Sequence, residues 1–214
     1  MLFRSDKVSV DIGFGAQKAR ALVTPGDCVT LDGTLTGLLK GRVSSAALDN
    51  RAGCAAVIRA AQLLKGVDKP RISVALVSQE ETGSAGAATA ANILAPDLAV
   101  VVDVSMATTP DDRPERCGVM GKGPMIGMAP ILEKGLSNKL IDICKKEDIP
   151  YQLEIMGSRT GTDADHIAVS GKGVRAALVS IPLRFMHTPA EVVDIGDVEN
   201  TALLIAKAVG GALC

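Results

Sequence analysis

The stretch Leu98-Ala99-Val100-Val101-Val102, followed directly by Asp103, holds five consecutive apolar residues. A continuous run of this kind, rich in β-branched residues, is typical of a strand that is buried on both faces of a sheet. Such strands occur mainly in α/β proteins, where helices cover both faces of a mostly parallel sheet. The stretch therefore indicates an α/β domain built on a mostly parallel sheet flanked by helices.

The segments around this stretch continue the alternation of strand and helix. Before it, the pattern predicts a helix that begins after Asp49, a strand at 72–77 and an alanine-rich helix at about 85–94. After it, a stretch rich in glycine and proline, 105–130, is expected to form loops or short strands. The remaining predicted elements are a helix at about 137–146, a strand at 151–155, a short helix near 162–170, a strand at 174–181 and a last helix at about 197–209.

Residues 1–45 have a different texture from the rest of the chain. Their short apolar runs, such as 8–13 and 28–33, are interrupted by glycine, which predicts short strands joined by turns. One brief helix is expected near 17–22. We therefore divide the chain into a β-rich part, 1–45, and an α/β domain, 46–214.

Composition excludes several classes of partner. The 214 residues carry 23 Lys+Arg against 24 Asp+Glu, which gives a net charge of −1. Binding to nucleic acid or to an anionic membrane requires a basic patch or stripe, and the balance of charge argues against both. The longest run without charge, 82–96, is too short and too polar to span a membrane.

The cysteines and the amino terminus favour a cytoplasmic protein. The 5 cysteines are odd in number and widely separated, so neither a disulfide framework nor a cysteine-based zinc site is expected. The first residues contain no apolar run of signal-peptide length.

Polar residues lie at the ends of the predicted apolar runs or a few residues after them. They are Asp49, Glu80, Glu81, Asp103 and His187. Because ligands of an open parallel sheet bind outside the carboxyl ends of its strands, we expect these side chains at one edge. Carboxylates placed together repel one another, so their ionised forms need a cation. Carboxylates with an imidazole suit zinc, cobalt or manganese, and one carboxylate can bridge two such ions.

Each of these residues also has an ordinary structural interpretation. Asp49 suits a helix cap, and Glu80 and Glu81 suit a solvated loop. Asp103 suits a turn at a strand end, and a lone histidine is commonly a polar residue with satisfied hydrogen bonds. The residue pattern alone therefore leaves two interpretations open, a metal site and a set of unrelated structural roles.

Six segments resemble, in order and spacing, the motifs of the tetrahedral-type metalloaminopeptidases. This family includes glutamyl and deblocking aminopeptidases, and its members are often called endoglucanases. The similar segments are ALDNRAGC (47–54), SQEETG (78–83), VDVSMA (102–107), GKGP (121–124), GTDA (161–164) and IPLRFMHTP (181–189). The resemblance extends over nearly the whole chain.

The resemblance implies a zinc-peptidase-like catalytic domain over 46–214, with 1–45 as the remnant of a β-rich insertion domain used for dimerisation. It implies that Asp49 bridges two metal ions, that Glu81 and His187 complete one ion site, and that Asp103 belongs to the other. Glu80 would be the general base. No residue is implied to bind any other cofactor.

The implied activity is removal of N-terminal residues from peptides by a two-metal mechanism. The implied cofactors are two divalent ions per complete site, with zinc or cobalt favoured over manganese.

The sequence departs from the family pattern at one metal ligand. The family has a further histidine, in a His-x-Asp motif, upstream of every motif quoted above. Here the histidines are His166 and His187, and the family pattern gives His166 no role as a ligand. The resemblance therefore implies a carboxy-terminal portion of the fold, with one weakened ion site and impaired activity.

An incomplete fold should expose apolar surface and an unpaired sheet edge. We therefore expect association with further copies of the chain or with a complementing amino-terminal chain. Two other functions stay open: a non-catalytic subunit that binds a metal or a partner, and a glycoside hydrolase. The last ranks third, because sugar sites usually offer aromatic surfaces and this chain has no Trp and 1 Tyr.

Overall fold

The computed structural model describes residues 9–66, 71–110 and 112–213. Their helices are α1 (Ala16–Leu22), α2 (Leu48–Leu63), α3 (Ala85–Leu94), α4 (Lys134–Lys146), α5 (Ala164–Ala168) and α6 (Ile195–Lys207). Their strands are β1 (Thr36–Gly37), β2 (Arg42–Ser45), β3 (Leu98–Met106), β4 (Met125–Met128), β5 (Gln152–Ile155), β6 (Arg175–Arg184) and β7 (Glu191–Asp194).

The strands form one sheet around the long strand β6. Strand β3 runs parallel to β6 along nearly its whole length, with Asp103 opposite Ser180. β4 pairs with β6 at Val179 and Ser180, and β7 pairs with β6 at Leu183 and Arg184. β5 extends the sheet beyond β4, while β2 and then β1 extend it beyond β7.

The sheet is mixed, so the expectation of a mostly parallel sheet is wrong for the described residues. Among them only the pairs β3–β6 and β4–β5 are parallel. The physical reason is local reversal of the chain, because the segment after β6 turns back into β7 and β2 pairs antiparallel with β7. Alternation of strands and helices along a sequence does not reveal such reversals.

Most predicted elements are present within a few residues of their expected bounds. The helix after Asp49 and the helices at 85–94, 137–146 and 197–209 correspond to α2, α3, α4 and α6. The strands at 151–155 and 174–181 correspond to β5 and β6, and the expected loop region 105–130 includes the short strand β4.

Three predicted strands are not formed in the described residues. Residues 71–79 are exposed and pair with no strand. The segments 9–13 and 28–33 also lack strand pairing, and residue 8 lies outside the described residues. Because a strand exists only through hydrogen bonds to a neighbour, an apolar run without a partner does not form one.

The core lies on both faces of the sheet. On one face α2 and α6 pack against β3, β6 and β7, and Ala52, Ala56 and Ala60 of α2 are at most 5% exposed. These alanines recur every four residues and so form one small-residue stripe that lets the helix lie close to the sheet. On the other face Val101 and Leu178 contact a cluster that includes Ala164 of α5.

Asp197, in the first turn of α6, holds the loop that leads into β4. It is 1% exposed, and its carboxylate accepts hydrogen bonds from the Gly121 and Gly123 backbone N–H groups, each at 2.7 Å. Gly123 has a φ of 85°, and a Cβ there would lie 1.9 Å from the Pro150 carbonyl oxygen. The GKGP motif is thus fixed in place by α6.

None of the described helices combines the length and the apolar character that crossing a membrane requires.

Candidate metal centre

Three separate connections bring the predicted site residues together. Asp49 is the second residue of α2, and Glu80 and Glu81 begin a 3₁₀ turn directly after the unpaired segment 71–79. His187 lies in the connection between β6 and β7, three residues after Arg184. Asp103 lies in β3, opposite Ser180 of β6.

Asp49, Glu81 and His187 form a compact group of ligand atoms. His187 Nε2 lies 3.2 Å from Asp49 Oδ2 and 3.0 Å from Glu81 Oε1. One ligand atom from each of the three residues lies within 4.8 Å of the other two. Tetrahedral zinc, with bonds of about 2.0–2.2 Å, separates its ligand atoms by roughly 3.3 Å. The group therefore fits a divalent ion of this size with little movement.

The structure places Asp103 and Glu80 beside this group, not in it. Asp103 is 6% exposed, and its Oδ1 accepts a hydrogen bond from the Val104 N–H at 2.9 Å. Burial raises the pKa of Asp103 to about 8; the Val104 hydrogen bond opposes this shift, and the charges of Asp49 and Glu80 add to it. Asp103 thus lies close enough to Asp49 and Glu80 for their charges to act on its carboxyl group.

Burial and neighbouring negative charges also raise the pKa values of Asp49 and Glu80. Burial, followed by repulsion from Glu81, raises the pKa of Asp49 to about 6, although His187 pulls it down. Burial and then Glu81 also raise the pKa of Glu80. A bound divalent cation would reverse this effect and favour the ionised ligands, so the chemistry of the donor set fits a metal ion.

Glu191, which the sequence reasoning missed, positions two of the three ligands. It is 2% exposed, and it accepts hydrogen bonds from the Asp49 N–H at 3.0 Å and from the His187 N–H at 2.7 Å. One carboxylate therefore ties the start of α2 to the β6–β7 connection. The available signal was the alternation in β7, since Glu191 shares a face with the buried Val193.

Asp163, in the GTDA motif, also faces the site. Its Oδ1 is buried and has no hydrogen-bond partner among the described residues. Its charge contributes to the raised pKa values of Asp103 and Glu80, after the larger effect of burial. His166 lies in α5, outside the group of ligand atoms formed by Asp49, Glu81 and His187.

Glu154 is a further carboxylate on the Asp103 side of the sheet. From β5 it reaches across Gly127 of β4, where its side chain accepts hydrogen bonds from Ser180 Oγ at 2.7 Å and from Ser105 Oγ. Ser180 is the register partner of Asp103, and Ser105 follows Asp103 by two residues. Within the described residues Glu154 makes no ion pair. Its negative charge is available to a cationic ligand.

The backbone around the centre adopts conformations that residues other than glycine rarely take. Residues in the left-handed region flank every ligand-bearing loop, with φ values between 52° and 68°: Ala47, Gln79, Ser84, Phe185 and His187. Such conformations cost energy and are concentrated at functional sites, where the surrounding structure imposes them. The geometry of the centre, and not local sequence preference, therefore determines the backbone conformation at these positions.

Replacing Glu191 should weaken metal binding without touching a ligand. In Glu191→Gln the amide NH₂ faces one of the two N–H donors, so one buried donor loses its acceptor. We expect the free energy of unfolding to fall by about 1–3 kcal/mol and the zinc affinity to fall by about 10–100-fold. Urea unfolding measures the change in the free energy of unfolding. Calorimetric titration with zinc, at a temperature below the unfolding transition, measures the change in affinity.

Glu199→Gln is the matched control, since Glu199 is an exposed carboxylate on α6 that pairs with Arg59 at 3.2 Å. Equal zinc affinities in Glu191→Gln and Glu199→Gln would contradict the positioning role of Glu191.

Known proteins resemble the chain throughout its length. A relative from Acetivibrio thermocellus is 36% identical over an alignment of 212 positions that covers 95% of this chain and 62% of the relative. Lysyl aminopeptidase of Pyrococcus furiosus is 35% identical over 173 residues, 81% of this chain and 49% of that protein. The chain thus spans about half to two thirds of the length of these relatives.

Solved structures share the fold. An aminopeptidase from Desulfurococcus kamchatkensis matches with a TM-score of 0.75 and 33% identity, over 84% of this chain and 52% of its own. The TET1 peptidase of Pyrococcus horikoshii, which can assemble into a tetrahedron or a large octahedral shell, matches with a TM-score of 0.74 and 26% identity over 98% and 64%. An endoglucanase from Thermotoga maritima matches with a TM-score of 0.64 and 28% identity over 92% and 58%.

The family model described as M42 glutamyl aminopeptidase matches residues 3–204. This match covers nearly all of the sequence, including every residue of the centre described above. It confirms the resemblance seen in the motifs, and the chain belongs to the M42 glutamyl aminopeptidase family.

Proposed function

We propose that the chain is the catalytic part of a metal-dependent aminopeptidase that removes N-terminal residues from peptides. The observation that carries this proposal is the group formed by Asp49, Glu81 and His187, with Glu80 beside it in a chain of the M42 family. Three donors of this type in one place suit a hydrolytic metal ion. Zinc and cobalt are favoured, and manganese is also compatible with the donor set.

Asp49, Glu81 and His187 would hold the first ion. The second ion would share Asp49 and would also be bound by Asp103, which is buried in β3. The described residues offer this second position fewer donors than the first, so we expect it to bind its ion more weakly. When bound, such ions lower the pKa of a water molecule and polarise a carbonyl group.

Glu80 suits the role of general base. It adjoins the ligand Glu81 but stays outside the group of ligand atoms, and burial and repulsion by Glu81 raise its pKa. A carboxylate with a raised pKa accepts a proton from water more readily and can later donate it to the leaving amine. Adjacent residues thus serve different purposes, one as a metal ligand and the other as a base.

Glu154 supports recognition of a substrate ammonium group. An aminopeptidase must hold the free α-amine of its substrate, and Glu154 is a carboxylate near Asp103 whose described partners are hydroxyl groups. A charged hydrogen bond to an ammonium group would complete its environment. The ammonium could be the α-amine or the side chain of an N-terminal lysine, the residue named for the P. furiosus relative.

Two other functions rank lower. A non-catalytic subunit that binds one ion fits the same ligand group but gives Glu80 no purpose. A glycoside hydrolase needs two carboxyl groups about 5–9.5 Å apart with a sugar between them, whereas here His187 lies between Asp49 and Glu81. The T. maritima neighbour is named as an endoglucanase, so the glycoside hydrolase is included in the tests below.

The quaternary assembly is also a proposal. The P. horikoshii neighbour forms closed shells from many copies. We infer that this chain associates with further copies or with a complementing chain, and the location in the cytoplasm remains a prediction from composition.

Replacing Glu80 tests the proposed activity. In the presence of Co²⁺ or Zn²⁺, we expect Glu80→Gln to reduce hydrolysis of amino-acyl nitroanilides by about 10²–10⁴-fold, because the proton acceptor is removed. Zinc affinity should stay within a few-fold of the unsubstituted chain. Steady-state kinetics and zinc titration measure the two quantities, with Glu199→Gln as the control, because Glu199 pairs with Arg59 near the opposite end of α2 from Asp49.

Each lower-ranked function has its own outcome in this experiment. Absence of turnover with any metal in the unsubstituted chain would favour the subunit. Release of reducing sugar from a β-glucan in the presence of a chelator would favour the glycoside hydrolase.

Replacing Glu154 tests the ammonium site. The loss of one charge-assisted hydrogen bond, about 1.5–3 kcal/mol, should raise KM by roughly 10–100-fold in Glu154→Gln with a smaller change in kcat. If Glu154 binds the α-amine, leucyl and lysyl nitroanilides are affected alike; if it binds the lysine side chain, only the lysyl substrate is affected. Unchanged KM values for both substrates would exclude the ammonium role.

A further inference from the structure

Strand β5 is an edge strand of the sheet, and one of its sides has no strand partner among the described residues. Its inner side pairs with β4. The Gln152 N–H donates to the Pro124 carbonyl at 2.8 Å, and the Met156 N–H donates to the Met128 carbonyl at 2.9 Å. Because backbone groups of successive residues in a strand point to opposite sides, the N–H and C=O groups of residues 151, 153 and 155 point away from β4.

The side chains at these three positions lie on one face of the sheet. Tyr151, directly before β5, packs against the buried cluster beneath α4, whereas Leu153 and Ile155 are 51% and 74% exposed. Lysine and proline commonly protect edge strands from pairing, yet β5 contains neither. The outer side of β5 therefore offers free backbone groups and apolar side chains to another strand.

A second copy of the chain fits this edge when the two β5 strands run antiparallel about a two-fold axis. In such a pair, outward-pointing residues of one strand must lie opposite outward-pointing residues of the other. Leu153 then lies opposite the partner's Leu153, and Tyr151 lies opposite the partner's Ile155. Each of the three hydrogen-bonded residue pairs exchanges two backbone hydrogen bonds. The apolar side chains of the two copies meet on the same face, where aromatic and β-branched pairs are favourable.

The neighbouring registers are less favourable. A shift that sets Leu153 opposite the partner's Ile155 also sets Glu154 directly against the partner's Glu154, and like charges in this position destabilise a sheet. The opposite shift sets Ile155 against the partner's Ile149, whose N–H already donates to the last turns of its own α4 at 2.9 Å. The register centred on Leu153 places Glu154 opposite the uncharged Gln152 and avoids both conflicts.

The charges that flank β5 support the same arrangement. Asp148 is the last charged residue before the strand, and Arg159 is the first one after it. Both are exposed, and neither forms an ion pair with a described residue. Antiparallel pairing brings the end that carries Asp148 to the end that carries the partner's Arg159, twice in each pair. Parallel pairing would bring like charges together and would not form a closed dimer.

We propose that β5 is the interface of a symmetric pair of chains, in which two β5 strands join the two sheets into one. Five residues from each copy, 151–155, are fewer than the about 20–30 a side of a standard interface, so we expect weak association that depends on concentration. This inference assigns a surface to the self-association proposed above. It depends on neither metal binding nor peptidase activity.

Sedimentation velocity of the 214-residue chain over a range of concentrations, in the presence of a chelator, tests the interface. We expect a dimer whose fraction rises with concentration. Leu153→Lys with Ile155→Lys should weaken dimerisation at least about 10-fold, because lysines would lie directly opposite each other at the central pair. Ile93→Lys with Val169→Lys is the matched control, since Ile93 in α3 and Val169 after α5 are 74% and 67% exposed. The control should dimerise as the unsubstituted chain does.

Cysteine cross-linking tests the register. In chains that carry Cys28→Ser, which removes an exposed thiol, Leu153→Cys places one cysteine from each copy at the central pair. Their Cα atoms would lie about 5.5 Å apart, within the range of a disulfide. Ile155→Cys would instead separate the two cysteines by roughly 14 Å along the strands. We therefore expect mild oxidation to produce covalent dimers of the first variant and not of the second.

Three outcomes would overturn the proposal. A chain that stays monomeric at every concentration would contradict the interface itself. Equal weakening by the two double lysine variants would place the contact on another surface. Equal cross-linking of Leu153→Cys and Ile155→Cys would contradict the antiparallel register. A failure of the proposed peptidase activity would leave all three measurements unchanged.

Discussion

The arrangement of Asp49 and Glu81 around His187 is the interaction on which the rest of this structure depends. Distances of 3.2 and 3.0 Å from one imidazole nitrogen to two carboxylates concentrate negative charge at a partly buried place. Burial and mutual repulsion raise the pKa values of Asp49 and Asp103, so the ionised forms are disfavoured until a cation binds. Glu191 fixes the two backbone segments that deliver Asp49 and His187 and thereby maintains a geometry that the charges oppose.

The two proposed ion positions differ in the number of donors that the described residues supply. Glu191 of β7 holds the segments that carry Asp49 and His187, and Glu81 lies beside them, whereas Asp103 is buried in β3. The first proposed ion would thus have three donors, Asp49, Glu81 and His187, whereas the second would have Asp49 and Asp103.

The sequence allows much of the fold and centre to be predicted, and the failures have physical causes. Helices such as α3 and α6 follow from local periodicity and were predicted within a few residues. The segment 72–77 has the composition of a strand, but pairing depends on a partner that local composition does not reveal. The ligand-bearing positions follow from strand ends and motifs. Glu191 and Glu154 were missed because their roles arise from hydrogen bonds to residues far away in sequence, which no local pattern encodes.

Calorimetric titration of the chelator-treated chain with zinc tests the central claim most directly. The account predicts one ion that binds tightly per chain, with loss of that binding in His187→Ala, and a second ion that binds at least 10-fold more weakly. Two ions of equal affinity would contradict the asymmetry of the centre. Absence of binding would contradict the claim that these carboxylates and this imidazole form a metal site at all.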